Sequence, residues 1–197
     1  MTAPIGGIVL AGGRSSRFGR DKLAEPIDGR SLLDHAIRAV QTVASEVLVV
    51  AAAGADPPLP EGVHVVRDPV PFEGPLAGLA AGLAGLDPAV DRVIVVAGDM
   101  PSLVPAVLDR LIGALAASVD AAILESGGRS VPLPLAVRRA AGARAVARLL
   151  AAGERRLGAL PDVLGASVIP EATWHRDDPD GATLRDIDTP DDLAAGR

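Results

Sequence analysis

Apolar residues fall into short, recurring blocks along the chain, and their spacing alternates between two periods. Ile5 to Ala11 is a compact apolar run ending at Gly12-Gly13, which predicts a buried strand opening into a loop that extends to about Lys22. From Ser31 to Val43 the apolar positions Leu32, Leu33, Ala36, Ile37, Val40 and Val43 recur at helical spacing, and Ser31 stands where an N-cap belongs. Val47 to Ala53 reads as a strand, Asp56 to Pro60 as a proline-rich surface loop, and Val63 to Arg67 as a further strand. Leu76 to Leu86 follows as a helix of small residues, Val93 to Ala97 as a strand, Pro105 to Ala117 as a helix and Ala121 to Leu124 as a strand. Val131 to Val137 is apolar but carries Pro132 and Pro134, so a strand there is expected at a sheet edge or turn. Arg138 to Ala152 predicts a helix, and the acidic, turn-rich tail from Asp177 ends in a short helix beginning near Thr189-Pro190.

Strand-helix alternation of this kind predicts one α/β domain over residues 1–197, a Rossmann-like three-layer unit with a mostly parallel sheet and helices on both faces. In such sheets ligands bind beyond the carboxyl ends of the strands. Gly12, Asp68 and Asp99 each follow a predicted strand, so the chemistry is expected to gather there.

Composition narrows the picture. The chain has no cysteine, which removes disulfides, thiolate nucleophiles and cysteine-bound zinc. Aromatic residues are only 2%, so the core must be built from Ala, Val, Leu and Ile. A net charge of −6 argues against a nucleic-acid partner, which calls for a basic face. The apolar runs are strand-length, so no membrane association is expected, and the N-terminus shows no leader pattern; the reading is a cytoplasmic protein.

Two constellations carry chemistry. In Leu10-Ala11-Gly12-Gly13-Arg14-Ser15-Ser16-Arg17-Phe18-Gly19-Arg20-Asp21-Lys22, adjacent glycines after a strand let backbone N–H groups approach an anion, and three arginines and a lysine crowd the same loop. That pattern suits a polyphosphate, with Arg gripping oxygens bidentately and Lys acting as a mobile point charge. It is neither a P-loop nor a dinucleotide fingerprint. In Gly98-Asp99-Met100-Pro101 a carboxylate ends a buried strand, where it can hold magnesium or simply cap the next turn. Asp68, before Pro69, is either a second nucleotide-side carboxylate or a turn former. His35, His64 and His175 have no metal-ligand spacing, and His35 fits a structural place in the first helix.

Taken together, Leu10-Ala11-Gly12-Gly13, Arg17, Gly19 and Asp21-Lys22 resemble the signature of the MobA-like nucleotidyltransferases, most closely the molybdenum cofactor guanylyltransferases. Arg67-Asp68, Gly74-Pro75-Leu76-Ala77-Gly78, Gly98-Asp99-Met100-Pro101, Gly153-Glu154-Arg155-Arg156 and Asp188-Thr189-Pro190-Asp191-Asp192-Leu193 agree with that family in order across nearly the whole chain. The resemblance implies transfer of GMP from GTP to the terminal phosphate of molybdenum-molybdopterin with Mg2+. It implies that Leu10, Ala11, Gly12, Gly13, Arg14 and Asp68 contact the nucleotide, that Lys22 and Arg17 serve its phosphates, and that Asp99 binds both metal and GTP. It also implies transient contact with cofactor-insertion or molybdoenzyme partners. Cytidylyltransferases and sugar-phosphate nucleotidyltransferases share the opening loop, and a silent nucleotide-binding regulator is the alternative from another class. Two departures stand out: Val50-Ala51-Ala52-Ala53 lacks the asparagine the family often places after the second strand, and the C-terminal motif opens with Asp188 in place of asparagine.

Overall fold

The computed structural model describes residues 3–12, 21–67, 74–116 and 118–195. Its strands are β1 (Ile5–Ala11), β2 (Pro26–Ile27), β3 (Arg30–Ser31), β4 (Glu46–Ala51), β5 (Val63–Arg67), β6 (Arg92–Ala97), β7 (Ala121–Ser126), β8 (Arg129–Arg138) and β9 (Ser167–Ile169). The helices are α1 (Leu32–Gln41), α2 (Pro75–Gly85), α3 (Pro105–Gly113), α4 (Arg139–Ala151), α5 (Ala159–Leu164), α6 (Glu171–Trp174) and α7 (Pro190–Ala195).

Seven strands form one sheet in the order β5-β4-β1-β6-β8-β7-β9, and β2 and β3 make a separate small hairpin. Every strand of the large sheet runs the same way except β8, which is antiparallel to both β6 and β7. The mostly parallel three-layer architecture read from the alternation is the one observed.

Residues alternate across the sheet as a period of two requires, and both faces are buried. Val9, Val47, Val49, Ile94 and Val96 face one layer, packed with Leu33, Ile37 and Val40 of α1 and Leu108 and Leu111 of α3. Ile8, Leu48, Val50, Val93 and Val95 face the other, packed with Leu76, Leu79 and Leu83 of α2 and Val146 of α4. Small residues let the layers come close. A Cβ on Gly7 would stand 2.2 Å from Val40 Cγ1, and one on Gly82 of α2 would stand 2.9 Å from Ile8 Cδ1. Those approaches explain how a core with so few rings packs densely. The single tryptophan, Trp174, is buried against the α1–α3 layer and donates its Nε1–H to Glu125 O at 2.8 Å.

Ser31 is the N-cap of α1, its Oγ accepting from Asp34 N at 3.1 Å, as the spacing implied. The strand carrying Pro132 and Pro134 differs from expectation, because β8 lies inside the sheet between β6 and β7 and not at an edge. The pairing accommodates the prolines. Leu135 pairs Ile123 and Val131 pairs Leu124, so 132–134 sit in an irregularity where no ladder bond asks for their N–H groups. Among the described residues no helix is long and apolar enough to cross a membrane.

Candidate active site

The strand order places the site. Along the sheet the sequence of strands runs β5, β4, β1 and then jumps to β6, so the switch point lies between β1 and β6. Leu10 is in register with Ala97, and Gly98 N–H donates to Leu10 O at 3.0 Å. Gly12 and Asp99, predicted from separate motifs, therefore emerge side by side at the carboxyl end of the sheet.

Lys22 reaches the same place from a 3-10 turn at Lys22–Ala24, whose start is capped by the Asp21 carboxylate accepting from Leu23 N at 3.0 Å. Its Nζ lies 2.7 Å from Asp99 Oδ2 and 2.8 Å from Asp188 Oδ1. Desolvation is the largest single influence on this ammonium and disfavours its charge, yet the hydrogen bonds to Asp188 and Asp99 together outweigh it and raise the Lys22 pKa.

Asp188 belongs to a C-terminal strap held by local chemistry. Thr189 is the N-cap of α7: its Oγ1 accepts from Asp192 N at 3.2 Å, while Asp192 Oδ2 accepts from Thr189 N at 2.7 Å. This is a capping box with aspartate at its acidic position. The same oxygen accepts from Asp188 N at 3.1 Å and from Thr189 Oγ1 at 2.7 Å, and the Thr189 hydroxyl is the main reason the Asp192 pKa is lowered. Ile187 and Leu193 are buried with Ile27 and Leu32, pinning the strap to the hairpin and α1. Ile187 N–H donates to Asp99 O at 3.0 Å.

Ile187 is buried, whereas Asp186 on one side of it is exposed and Asp188 on the other is half-buried. The Asp186 pKa is raised, first by partial loss of water and then by the charges of Asp188 and Asp99. Asp186 belongs to no motif recognised in the sequence, whereas Asp188 opens the C-terminal one; the Asp-x-Asp spacing around an apolar residue is the available signal.

Three aspartates around one lysine leave excess negative charge among the described residues, which a polyphosphate could meet only with added cations. Among those residues no three side chains converge to hold a metal by themselves. The pair Asp99 and Asp188 still suits magnesium, which commonly takes one or two carboxylates and completes its shell with phosphate and water. Leu10, Ala11, Gly12, Lys22 and Asp99 are thus gathered at one place; Gly13, Arg14, Arg17 and Asp68 lie outside the described residues.

Beyond the ends of β1 and β4 a cavity of about 190 Å³ is lined by Ala11, Asp21, Leu23, Ala51 and Asp56 among others, so β4 ends there in alanine. On the other flank the two remaining motifs touch. Gly153 turns the chain after α4 at φ 83°, and the Glu154 carboxylate accepts from Arg155 N and Arg156 N, each at 2.8 Å. Arg156 above all holds the Glu154 pKa down to about 2. Arg155 O accepts from Leu76 N at 3.4 Å at the start of α2, and a Cβ on Gly74 would stand 2.8 Å from that oxygen.

Comparison with known proteins agrees with this fold. A probable molybdenum cofactor guanylyltransferase of Chloroflexus aggregans is 38% identical over 197 residues, covering 96% of this chain and 91% of its own. Its counterpart of the same name in Mycobacterium tuberculosis is 37% identical over 169 residues, 84% of this chain and 83% of its own. The crystal structure of molybdopterin-guanine dinucleotide biosynthesis protein A from Archaeoglobus fulgidus superposes with a TM-score of 0.77 at 23% identity, covering 96% and 95% of the two chains. The MobA-like NTP transferase domain model matches residues 7–166, and with these relatives it establishes that the chain belongs to the MobA-like NTP transferase family.

Proposed function

We propose that this protein is a magnesium-dependent guanylyltransferase that moves GMP from GTP to the terminal phosphate of molybdenum-molybdopterin, giving the guanine dinucleotide cofactor and pyrophosphate. The observation that carries the reading is the Lys22 ammonium set between Asp99 and Asp188 at the β1/β6 switch point. The names of the relatives supply the acceptor.

In this reading the backbone of Leu10, Ala11, Gly12 and Gly13 receives the nucleotide, Asp68 makes a further contact to it, and Arg14, Arg17 and Lys22 face its phosphates. Asp99 and Asp188 would hold a magnesium ion, which would supply charge neutralisation on the phosphates. Lys22, held 2.7 Å from Asp99 and 2.8 Å from Asp188, would offset charge on the leaving pyrophosphate. The acceptor phosphate is already an anion, so no side chain need remove a proton. Its oxygen forms a bond to the α-phosphorus as the α–β bridging bond breaks, and the electron pair leaves with pyrophosphate. Positioning and electrostatics therefore account for the rate.

All 197 residues act as one unit here, because the strap beyond the family match provides Asp186 and Asp188. The reaction belongs in the cytoplasm, and delivery of the product calls for brief contact with insertion or molybdoenzyme partners. Pyrophosphate release from GTP and magnesium, with and without molybdenum-loaded molybdopterin, tests the assignment. Release that depends on that acceptor supports it; release with another phosphate ester, or from CTP in preference to GTP, replaces it with a relative's reaction. GTP binding without release under any acceptor makes the protein a regulator.

A further inference from the structure

A cavity of about 560 Å³ shares a wall with the acidic cluster. Four parts of the chain build it: Ile27 and Asp28 of the hairpin, His35 of α1, Pro101 and Ser102 after β6, and the strap from Arg185 to Ile187. Its volume is typical of sites for small organic molecules, which run from roughly 300 to 1,000 Å³. The cavity beyond the ends of β1 and β4 is much smaller, about 190 Å³. Asp186 joins the large cavity to the reaction centre, since it lines the one and stands two residues before Asp188 of the other.

The polar groups on its walls differ in what they have left to give. His35 Nε2 donates to Ile27 O at 2.8 Å, because a carbonyl can only accept. Asp192, also on the wall, is occupied in the capping box. Arg185 gives one N–H to Asp180 O at 2.9 Å, and among the described residues its other N–H groups have no protein partner. The side chains of Asp28 and Ser102 likewise make no hydrogen bond among those residues. A carboxylate, a hydroxyl and a guanidinium on three separate elements thus line one cavity, between the apolar side chains of Ile27, Pro101 and Ile187.

We infer that this cavity takes the 2-amino-4-oxopteridine ring of the acceptor, with its phosphate arm extending past Asp186 to the cluster of Lys22, Asp99 and Asp188. This rests on the acceptor proposed above. The ring presents two N–H donors beside one carbonyl along a single edge. Asp28 matches the donors, Arg185 and Ser102 match the carbonyl, and the apolar side chains flank the ring plane. Nucleotide and acceptor then approach the α-phosphorus from different sides of the strap.

The test uses an oxidised pterin monophosphate, which keeps the ring and phosphate but lacks the dithiolene and metal, and whose own fluorescence reports binding. Asp28→Gly suits the hairpin because Asp28 sits at φ 49°, which glycine adopts without strain. Asp28→Gly and Arg185→Ala are each expected to weaken pterin phosphate binding by about tenfold or more while the Kd for GTP stays as in wild type. With molybdenum-molybdopterin the acceptor KM rises and the KM for GTP does not. Wild-type affinity for pterin phosphate in both variants overturns the inference, as does a parallel loss of GTP affinity or a wild-type protein that fails to bind the compound. If wild type releases no pyrophosphate with molybdenum-molybdopterin, the proposed function itself fails. If wild type turns over and the variants leave the acceptor KM unmoved, only the cavity assignment fails.

Discussion

The two ends of the central sheet put ion pairs to opposite purpose. At the amino end of β6, Arg138 pairs with Asp91 and also donates to Leu115 O and Ala116 O, at 3.2 and 3.1 Å. Its neighbour Arg139 donates to Val90 O at 2.8 Å and Pro88 O at 3.0 Å. Each cation there is matched to nearby acceptors, and together they fasten the start of α4 to the loops before β6 and β7. At the carboxyl end one lysine faces Asp99 and Asp188, with Asp186 close by, and among the described residues the charges do not balance. Matched charges hold a fold together, whereas a surplus of one sign held in place by other contacts is a demand for a ligand.

The sharpest way to break this comparison is to remove a charge from the site end. Asp99→Ala is expected to cut kcat for pyrophosphate release by about 10³-fold or more, with Tm within a few degrees of wild type. A large loss of stability would make Asp99 a structural residue of the same kind as Asp91. The reverse experiment is Arg138→Ala, expected to cost about 1–3 kcal/mol of stability while kcat and the GTP affinity stay within about twofold of wild type. Calorimetry should show Tm lowered by roughly 3–10 °C. Asp188→Asn keeps the size of the side chain and removes one charge, so about tenfold more magnesium should be needed for half-maximal rate, with a smaller change in kcat.

The smallest effect asks whether pairing, and not position in the fold, decides a charge's role. Glu154 lies in the turn that packs on the start of α2, yet it is matched to Arg156 and two backbone N–H groups. Its folded pKa, about 2, is below its unfolded value, so its contribution to stability is complete above the ordinary glutamate range and is lost as pH falls toward 2. Wild type and Glu154→Gln should differ slightly in stability at pH 7 and converge near pH 2 in urea titrations; a constant gap across that range would remove the carboxylate's charge from the account.

Much of this was legible in the chain because the signals were local. Gly12 and Asp99 stand directly after strand patterns, Lys22 closes the loop that follows the first of them, and period alone assigned Ser31 as a cap and gave the layers. What was hidden depended on pairing between distant segments. Pro132 and Pro134 argued for an edge, and only the register of β7 against β8 shows how an interior strand can carry them. Asp186 reads as one more charge in an acidic tail until the burial of Ile187 brings that tail across the end of β6. The cavity beside it is assembled from residues as far apart as Ile27 and Arg185, which no spacing rule connects.

The hydrogen bond from Ile187 to the carbonyl of Asp99 also has a bearing on the order in which the protein comes into being. During synthesis β1, Lys22 and Asp99 leave the ribosome long before the strap does. A nascent chain that has laid down β1, β4, β5 and β6 has Lys22 and Asp99 but lacks Asp188. The pairing of Lys22 with both carboxylates is thus deferred until the strap is made, and a chain released before it carries one side of the cluster without the other.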